Sequence, residues 1–424
     1  MVTALRDVRR VWGVAVVMLG MLVGTPAEAR QTPASQAPAP AQAQAQAPAS
    51  WTERLSIRGY AQFRLTRATT PDEGPTLEVP ADRSVLPQES FIIRRGRIIL
   101  SGDVSSRMFL YAQVDLNGVP GAGDYAVQMR DLYADIALTA DRAWRVRVGQ
   151  SKVPYGWVNM QSSQNRLPTE RADALNSAVE GERDYGAYLM WASPEARRRF
   201  RDLVNLGLKG SGDYGVAAVG VFNGQGLNRA DQNGQLHQMA RVSYPFRLRS
   251  GQYMEVGVQA YQGRFVSAVG ALAGPGGSVT PMRPDEGVED ARVAGTFVWY
   301  PQPFGFEAEW TVGRGPELSD DLRSIEARRL QGGYVQATWR RAFGQGHLQP
   351  FARWHYYDGG RKFARNAPRN HVNELDLGLE VARWREVETV LSYTRTFARS
   401  RTSAFPYDLS QRAHRVGMQV QWNY

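Results

Sequence analysis

The last nine residues, Val416-Gly417-Met418-Gln419-Val420-Gln421-Trp422-Asn423-Tyr424, alternate apolar and polar side chains without a break and stop on an aromatic. Successive side chains of a strand point to opposite faces. Val416, Met418, Val420, Trp422 and Tyr424 therefore share one face and Gly417, Gln419, Gln421 and Asn423 the other. One face suits lipid and the other suits water. A half-buried strand of a soluble sheet has the same period, so the segment alone leaves both readings open. An aromatic end is what the last strand of a membrane barrel needs where it meets the interface.

The opposite end favours the membrane. Arg6, Arg9 and Arg10 precede an apolar run from Val11 to Val23, and Ala27-Glu28-Ala29 forms a small-x-small site, so residues 1–29 are expected to be a cleaved signal peptide. The apolar run is short for a span of about 20 residues. No other stretch is long and apolar enough for a spanning helix. Only a closed barrel otherwise satisfies every backbone group in lipid, so a membrane home implies a barrel. A mean hydropathy of −0.42 does not argue against it, because only alternate strand residues would face lipid.

The chain has no cysteine, which removes disulfides and thiolate metal sites. Its formal charge is +10, and only Lys152, Lys209 and Lys362 among its 51 basic residues are lysines. Arginine holds oxyanions in a two-pronged fork and stays charged at any physiological pH. Codon preference produces the same excess, so composition by itself defines no site.

Residues 30–50 are almost wholly Ala, Pro and Gln, a linker with nothing to bury, and 51–424 reads as one domain. Within it, period-2 segments are expected near 53–67, 90–103, 107–116, 126–138, 143–151, 184–192, 214–223, 235–245, 252–262, 291–301, 304–313, 330–342, 347–358, 371–384, 386–398 and 412–424. The spacing implies an all-β fold, a sixteen-stranded antiparallel transmembrane β-barrel. Short connections are expected at Val104–Ser106, Thr139–Arg142, Pro245–Gly251, Gln302–Pro303, Phe343–Gly346 and around Arg385, and long ones at 68–89, 152–183, 263–290, 314–329, 359–370 and 399–411. Short periplasmic turns alternating with long extracellular loops are the barrel pattern. Segment 193–213 threatens an even count unless it is helical. Ser193 suits an N-cap, Pro194 the first helical position, and Glu195 the positive helix end. Ala196, Phe200, Leu203 and Val204 are expected to share a face, and Gly207 or Gly210 to end a helix over about 194–206.

No catalytic constellation is apparent. Gly210-Ser-Gly212-Asp-Tyr-Gly215 fits a dinucleotide pattern, but that pattern needs a strand before it and a helix after it. His237, His347, His355, His371 and His414 have no metal-ligand spacing. No metal, cofactor or nucleic-acid partner is expected. The 152–183 connection carries Lys152, Arg166, Glu170, Arg171, Asp173 and Arg183, and a loop this long usually has a task. Folded inward it would narrow a barrel; folded outward it would be a lid or a latch between copies. Alternation also points Arg58, Arg95, Arg97, Arg145 and Arg147 into the lumen. Carboxylates share that face, among them Asp115, Asp131 and Asp135. Arg361, Lys362, Arg365 and Arg369, in a loop without acidic residues, are candidates for a basic extracellular mouth or for contacts with lipopolysaccharide phosphates.

Several segments in order carry a resemblance: Arg94-Arg95-Gly96-Arg97-Ile98, Tyr111-Ala112-Gln113-Val114-Asp115, Arg130-Asp131-Leu132-Tyr133-Ala134-Asp135, Val148-Gly149-Gln150-Ser151-Lys152-Val153-Pro154-Tyr155-Gly156, Glu182-Arg183-Asp184-Tyr185-Gly186 and Gly220-Val221-Phe222-Asn223-Gly224. From about 54 to 226 the chain resembles the phosphate-selective porin O/P family. The resemblance implies a homotrimeric outer-membrane channel with an inward-folded third loop and a positive path for phosphate-like anions. Its phosphate-specific members approach the pore through lysines, which this chain almost lacks. A pore for small hydrophilic solutes, anionic by preference, is the resulting expectation, with an unselective pore or a plugged envelope barrel as alternatives.

Overall fold

A computed structural model describes residues 50–69, 82, 84–86, 89–118, 125–274, 277–401 and 408–424. The expected signal peptide, and all of the Ala/Pro/Gln segment except Ser50, lie outside the described residues.

All sixteen expected strands form. They are β1 (Leu55–Thr69), β2 (Ser90–Asp103), β3 (Met108–Gly118), β4 (Tyr125–Ala137), β5 (Trp144–Lys152), β6 (Arg183–Trp191), β7 (Ala217–Phe222), β8 (His237–Arg247) and β9 (Tyr253–Phe265). Then follow β10 (Val288–Trp299), β11 (Phe304–Leu318), β12 (Ile325–Trp339, resumed at Arg341–Phe343), β13 (Gly346–Gly360), β14 (Arg369–Ala382), β15 (Val387–Arg401) and β16 (Asp408–Asn423). Each pairs antiparallel with the next, and β1 pairs with β16 from Tyr60 opposite Asn423 to Thr69 opposite His414. No edge is left open, as lipid demands.

The alternation read from sequence sets the two faces. Tyr60, Gln62 and Arg64 of β1 are buried inside, whereas Ile57 is 75 % exposed. Val127, Val148, Val242, Val258 and Val312 continue the exposed apolar band around the wall. Trp144, Phe304, Trp339 and Trp422, near the periplasmic strand ends, form a lower aromatic girdle.

The expected loops near 314–329, 359–370 and 399–411 are shorter than their sequence suggests. β11 to β16 run on, leaving connections of 319–324 and 361–368, while β15 extends to Arg401 and β16 begins by Asp408. Charged side chains there, such as Arg314 and Arg328, lengthen a strand above the membrane as readily as they make a loop.

In the connection 153–182 two single-turn helices occur, α1 (Trp157–Met160) and α2 (Asp173–Asn176). This third loop folds inward. The Tyr155 hydroxyl meets Thr311 Oγ1 at 2.5 Å, Trp157 N–H donates to Glu309 Oε1 at 2.5 Å, and Arg292 donates to Ser177 Oγ at 2.8 Å. Val153, Tyr155, Trp157 and Leu175 pack with wall residues Tyr188, Tyr300, Tyr334 and Tyr357 in one apolar cluster. The core therefore sits inside the barrel, where the loop packs apolar side chains against β9–β13 and Tyr188 of β6 and turns polar ones such as Ser163 and Glu170 to β1 and β2.

The periplasmic helix forms as the sequence requires: α3 spans Pro194–Asn205, and Ser193 accepts the Ala196 N–H at 3.2 Å. Gly207 at φ +62 stops it, with Gly207 N–H on Val204 O and Leu208 N–H on Leu203 O, the paired bonds of a glycine-terminated helix end. Val204 departs from expectation. It is exposed, and only Ala196, Phe200 and Leu203 are buried. The chain then crosses the periplasmic opening, where Lys209 Nζ reaches Glu380 at 2.8 Å on the far wall and Lys209 O accepts from Gln161 Nε2 of loop 3 at 2.8 Å. Ser193→Ala is expected to cost about 1 kcal/mol, read as a lower urea midpoint in detergent with the same barrel circular dichroism.

Candidate pore constriction

Two β-bulges shape the wall beside loop 3. Between β1 and β2, Gln62 faces Arg95 and Phe63 faces Ile93, so Arg94 is the extra residue. Between β3 and β4, Gln113 faces Asp131 and Val114 faces Met129, so Arg130 is the extra one. A bulge lets two successive side chains share a face. Arg94 and Arg95, and likewise Arg130 and Asp131, are all buried on the inner side. Strict alternation places Arg94 and Arg130 in lipid, where a charge is costly. That conflict is the signal by which the sequence could have revealed them.

Loop 3 brings two carboxylates to these cations. Glu170 lies 2.8 Å from Arg64, 3.0 Å from Arg94 and 2.8 Å from Arg95. Glu182 pairs with Arg166, and also with Lys152 at 3.3 Å, Arg171 at 3.2 Å and Arg183 at 2.6 Å. Two further pairs stand in the wall: Arg97 with Asp115 at 3.1 Å, and Arg183 with Asp131 at 2.9 Å. Arg97 also donates to the Tyr60 hydroxyl at 2.8 Å and to Ser163 Oγ at 2.6 Å.

Cavities open above and below this belt. The upper cavity, 490 Å3, is lined by Arg94, Arg95, Arg97, Arg130, Arg171 and Arg229, with Asp115, Glu170, Glu180 and Glu182. The lower, 340 Å3, is lined by Arg58, Arg147, Lys152 and Arg183, with Asp131, Asp213 and the rings of Tyr111, Tyr133 and Tyr214. Where they approach each other, Arg97 and Asp115 face up while Arg183 and Asp131 face down. The belt holds nine cations (Arg64, Arg94, Arg95, Arg97, Arg130, Lys152, Arg166, Arg171, Arg183) against five carboxylates (Asp82, Asp115, Asp131, Glu170, Glu182). Arg130 differs from its neighbours. It donates to Gln128 Oε1 at 3.1 Å and to Gly181 O at 2.9 Å, both neutral, so among the described residues it forms no ion pair of its own, and Asp115 and Glu182 act on it only from a distance.

Of the sequence candidates, the structure brings together Lys152, Arg166, Arg171, Arg183, Arg95 and Arg97. Arg58 and Arg147 stand lower, Arg147 held by Asp135 at 2.7 Å, and Arg58 exposed to the lower cavity. Arg145 sits apart at the periplasmic end, bound to Asp213 at 2.5 Å. The four cations expected at an extracellular basic mouth do not assemble. Lys362 is buried against Asp290 and the rings of Tyr261, Phe265 and Phe363. Burial pushes its ammonium down to about 8 against the pull of Asp290. Arg369 pairs with Asp358 at 3.1 Å, Arg365 lies exposed over Gly270, and Arg361 lines a separate cavity. Loop composition hides this, because the neutralising carboxylates come from neighbouring strands.

The histidines show the same limit. His355 meets Glu374 and Asp376 of β14 in a cluster that ligand spacing along the chain could not disclose. Arg415 holds Glu374 at 2.6 Å and Arg353 holds Asp376 at 3.0 Å, so the carboxylates already have cations.

Burial pushes Glu182 up, but Arg166, Lys152, Arg171 and Arg183 outweigh it and hold the carboxylate well below its usual 4.5. Burial is likewise overcome at Glu170 by Arg94, Arg95 and Arg64. A depressed carboxylate contributes stability that is fully present above its unfolded pKa and lost as pH falls through the folded one. The loop is thus expected to stay clamped from neutral pH down to 4.5 and to loosen only well below, read as constant channel conductance over that window followed by noisy larger steps.

Comparison with known proteins agrees with this architecture. The outer membrane channel DcaP of Acinetobacter baumannii superposes with a TM-score of 0.53 at 12% identity, covering 87% of this chain and 97% of that one. OmpF of Salmonella typhi, in complex with daunomycin, gives 0.52 at 13% identity over 87% and 97%. OmpT of Vibrio cholerae in its trimer form gives 0.51 at 10% identity over 88% and 100%. At these identities the likeness concerns the fold. No curated protein matches the sequence. The profile of the family described as "Phosphate-selective porin O and P" matches residues 77–422. With a closed barrel, an apolar exterior and charged internal cavities, the protein is a passive channel of the outer membrane, and the chain belongs to the phosphate-selective porin O and P family.

Proposed function

We propose that this porin passes small hydrophilic anions in preference to cations, with phosphate-like oxyanions as its best-fitting solutes. The observation that supports the reading is the belt of nine cations against five carboxylates where loop 3 meets the wall, with Arg130 outside every ion pair. Low-dielectric walls focus such an excess, raising the local anion concentration. Guanidinium forks replace part of an oxyanion's water, while the adjacent carboxylates keep binding weak enough for release. The channel works after removal of residues 1–29, as a homotrimer, and no energy source is involved. Lipopolysaccharide is its outer-leaflet neighbour.

Asymmetric KCl in a planar bilayer tests the selectivity: the expected reversal potential is that of an anion-preferring pore, and a cation-preferring one contradicts it. The near-complete pairing of the arginines favours a second reading, a general porin with crossed charges orienting water. Millimolar phosphate separates the two. It reduces chloride conductance if an oxyanion site exists and leaves it unchanged in an unselective pore.

A further inference from the structure

The outer wall carries basic residues that the conduit does not use. On β15, Thr394 and Thr396 turn inward to donate to Asp376 and Glu374, so Arg395 between them points out. On β16, buried Gln411 and Ala413 flank an exposed Arg412. The register sets Arg395 opposite His414 and Phe397 opposite Arg412, which makes a quartet across two strands. These side chains line an external groove of 490 Å3.

Charge pairing sets this groove apart from part of the rim. Some outward arginines near the extracellular rim have carboxylates, Arg314 with Glu289 at 3.4 Å and Arg264 with Glu286 at 3.2 Å, although exposed Arg329 opposite Arg314 forms no ion pair among the described residues. Arg395 and Arg412 have none among the described residues. Height distinguishes it as well. Ten residues separate Trp422 of the lower girdle from Arg412, and at about 3.3 Å per residue on a strand tilted by roughly 40° they climb about 25 Å, the height of a barrel's apolar band. Arg412 therefore stands at the outer-leaflet head groups, with Arg395 just beneath. Phe397 beside them is exposed and meets His371 edge-on at 6.1 Å, which in turn meets Tyr356 of the stacked Trp310, Trp354 and Tyr356 group.

We propose that this quartet is a binding site for the phosphate of an outer-leaflet glycolipid, a lipid A phosphate held by the forks of Arg395 and Arg412 with Phe397 against the lipid. Two guanidinium forks match a phosphate dianion. A position facing the bilayer selects a lipid over a free ion. The inference rests on outer-membrane residence and is independent of the selectivity of the conduit.

The test is native mass spectrometry of the detergent-purified protein titrated with bisphosphorylated lipid A, with dephosphorylated lipid A and inorganic phosphate as separate probes. The wild type is expected to retain bisphosphorylated lipid A, to bind the dephosphorylated form far more weakly, and to keep its lipid in millimolar inorganic phosphate. Arg395→Gln combined with Arg412→Gln is expected to weaken retention by about tenfold or more, while Arg314→Gln retains it. Single-channel conductance in the double variant is expected to equal wild type, which certifies a folded barrel. Undiminished lipid retention in the folded double variant overturns the proposal, as does equal affinity for the dephosphorylated lipid. A loss of oligomer without loss of lipid assigns the groove to contact between copies and also overturns it. Lipid retention with no anion preference in the pore would fail the selectivity reading alone.

Discussion

Replacing residues 157–179 by a short Gly/Ser linker is expected to raise single-channel conductance several-fold and to erase most of the ion selectivity. The deleted stretch holds Trp157 and Leu175, which pack across the lumen, and Arg166, Glu170 and Arg171, which belong to the belt. Conductance is set by the narrowest water-filled section. Loop 3 lines both cavities, so that section is expected beside it. The sixteen strands keep every ladder hydrogen bond without the loop, so the barrel remains closed. Stability is expected to fall, because apolar contacts with Tyr300, Tyr334 and Tyr357 disappear. Planar-bilayer recordings of the refolded variant check the result. Unchanged step size would mean that the loop does not limit the pore.

Arg130→Gln is expected to move the reversal potential in asymmetric KCl toward cations and to weaken phosphate block about tenfold. Compensation sets Arg130 apart from its neighbours. Arg97 and Arg183 each have a carboxylate within 3.1 Å, so neutralising either one also frees an anion. Arg130 has only neutral acceptors, and glutamine removes its charge without exposing a partner. Arg145→Gln is the matched control. Its carboxylate partner Asp213 keeps Arg197 at 3.1 Å and the site lies outside the belt, so selectivity is expected to stay near wild type. Equal effects of the two substitutions would show that total charge, rather than this position, governs permeation.

Much of this molecule was legible because the membrane imposes a strict period. Ile57, Val127 and Val148 had to face lipid, and their water-facing neighbours identified the strands and their even number. The periplasmic helix was legible for a local reason, since Ser193, Pro194 and Gly207 are its own start and stop signals. What alternation could not supply was its own interruption. Arg94 and Arg130 face inward only because each occupies a bulge, and a bulge depends on pairing with another strand. Contacts between distant segments were equally hidden. Lys362 reads as a mouth residue until Asp290, far away in sequence, is found against it. Glu170 and Glu182 read as incidental acids in a basic loop until they prove to gather seven cations between them.

Solutes are expected to cross between β2–β6 and loop 3 through the arginine belt. Because the chain contains no cysteine, single introduced thiols report access directly. Gln128 lines the upper cavity and Leu132, 57 % exposed, faces lipid on the same strand. In a bilayer, Gln128→Cys is expected to react with an anionic, water-soluble thiol reagent and lose current in discrete steps, while Leu132→Cys keeps its current throughout. Full current through a fully modified Gln128→Cys channel would contradict the account, because ions would then be crossing somewhere else.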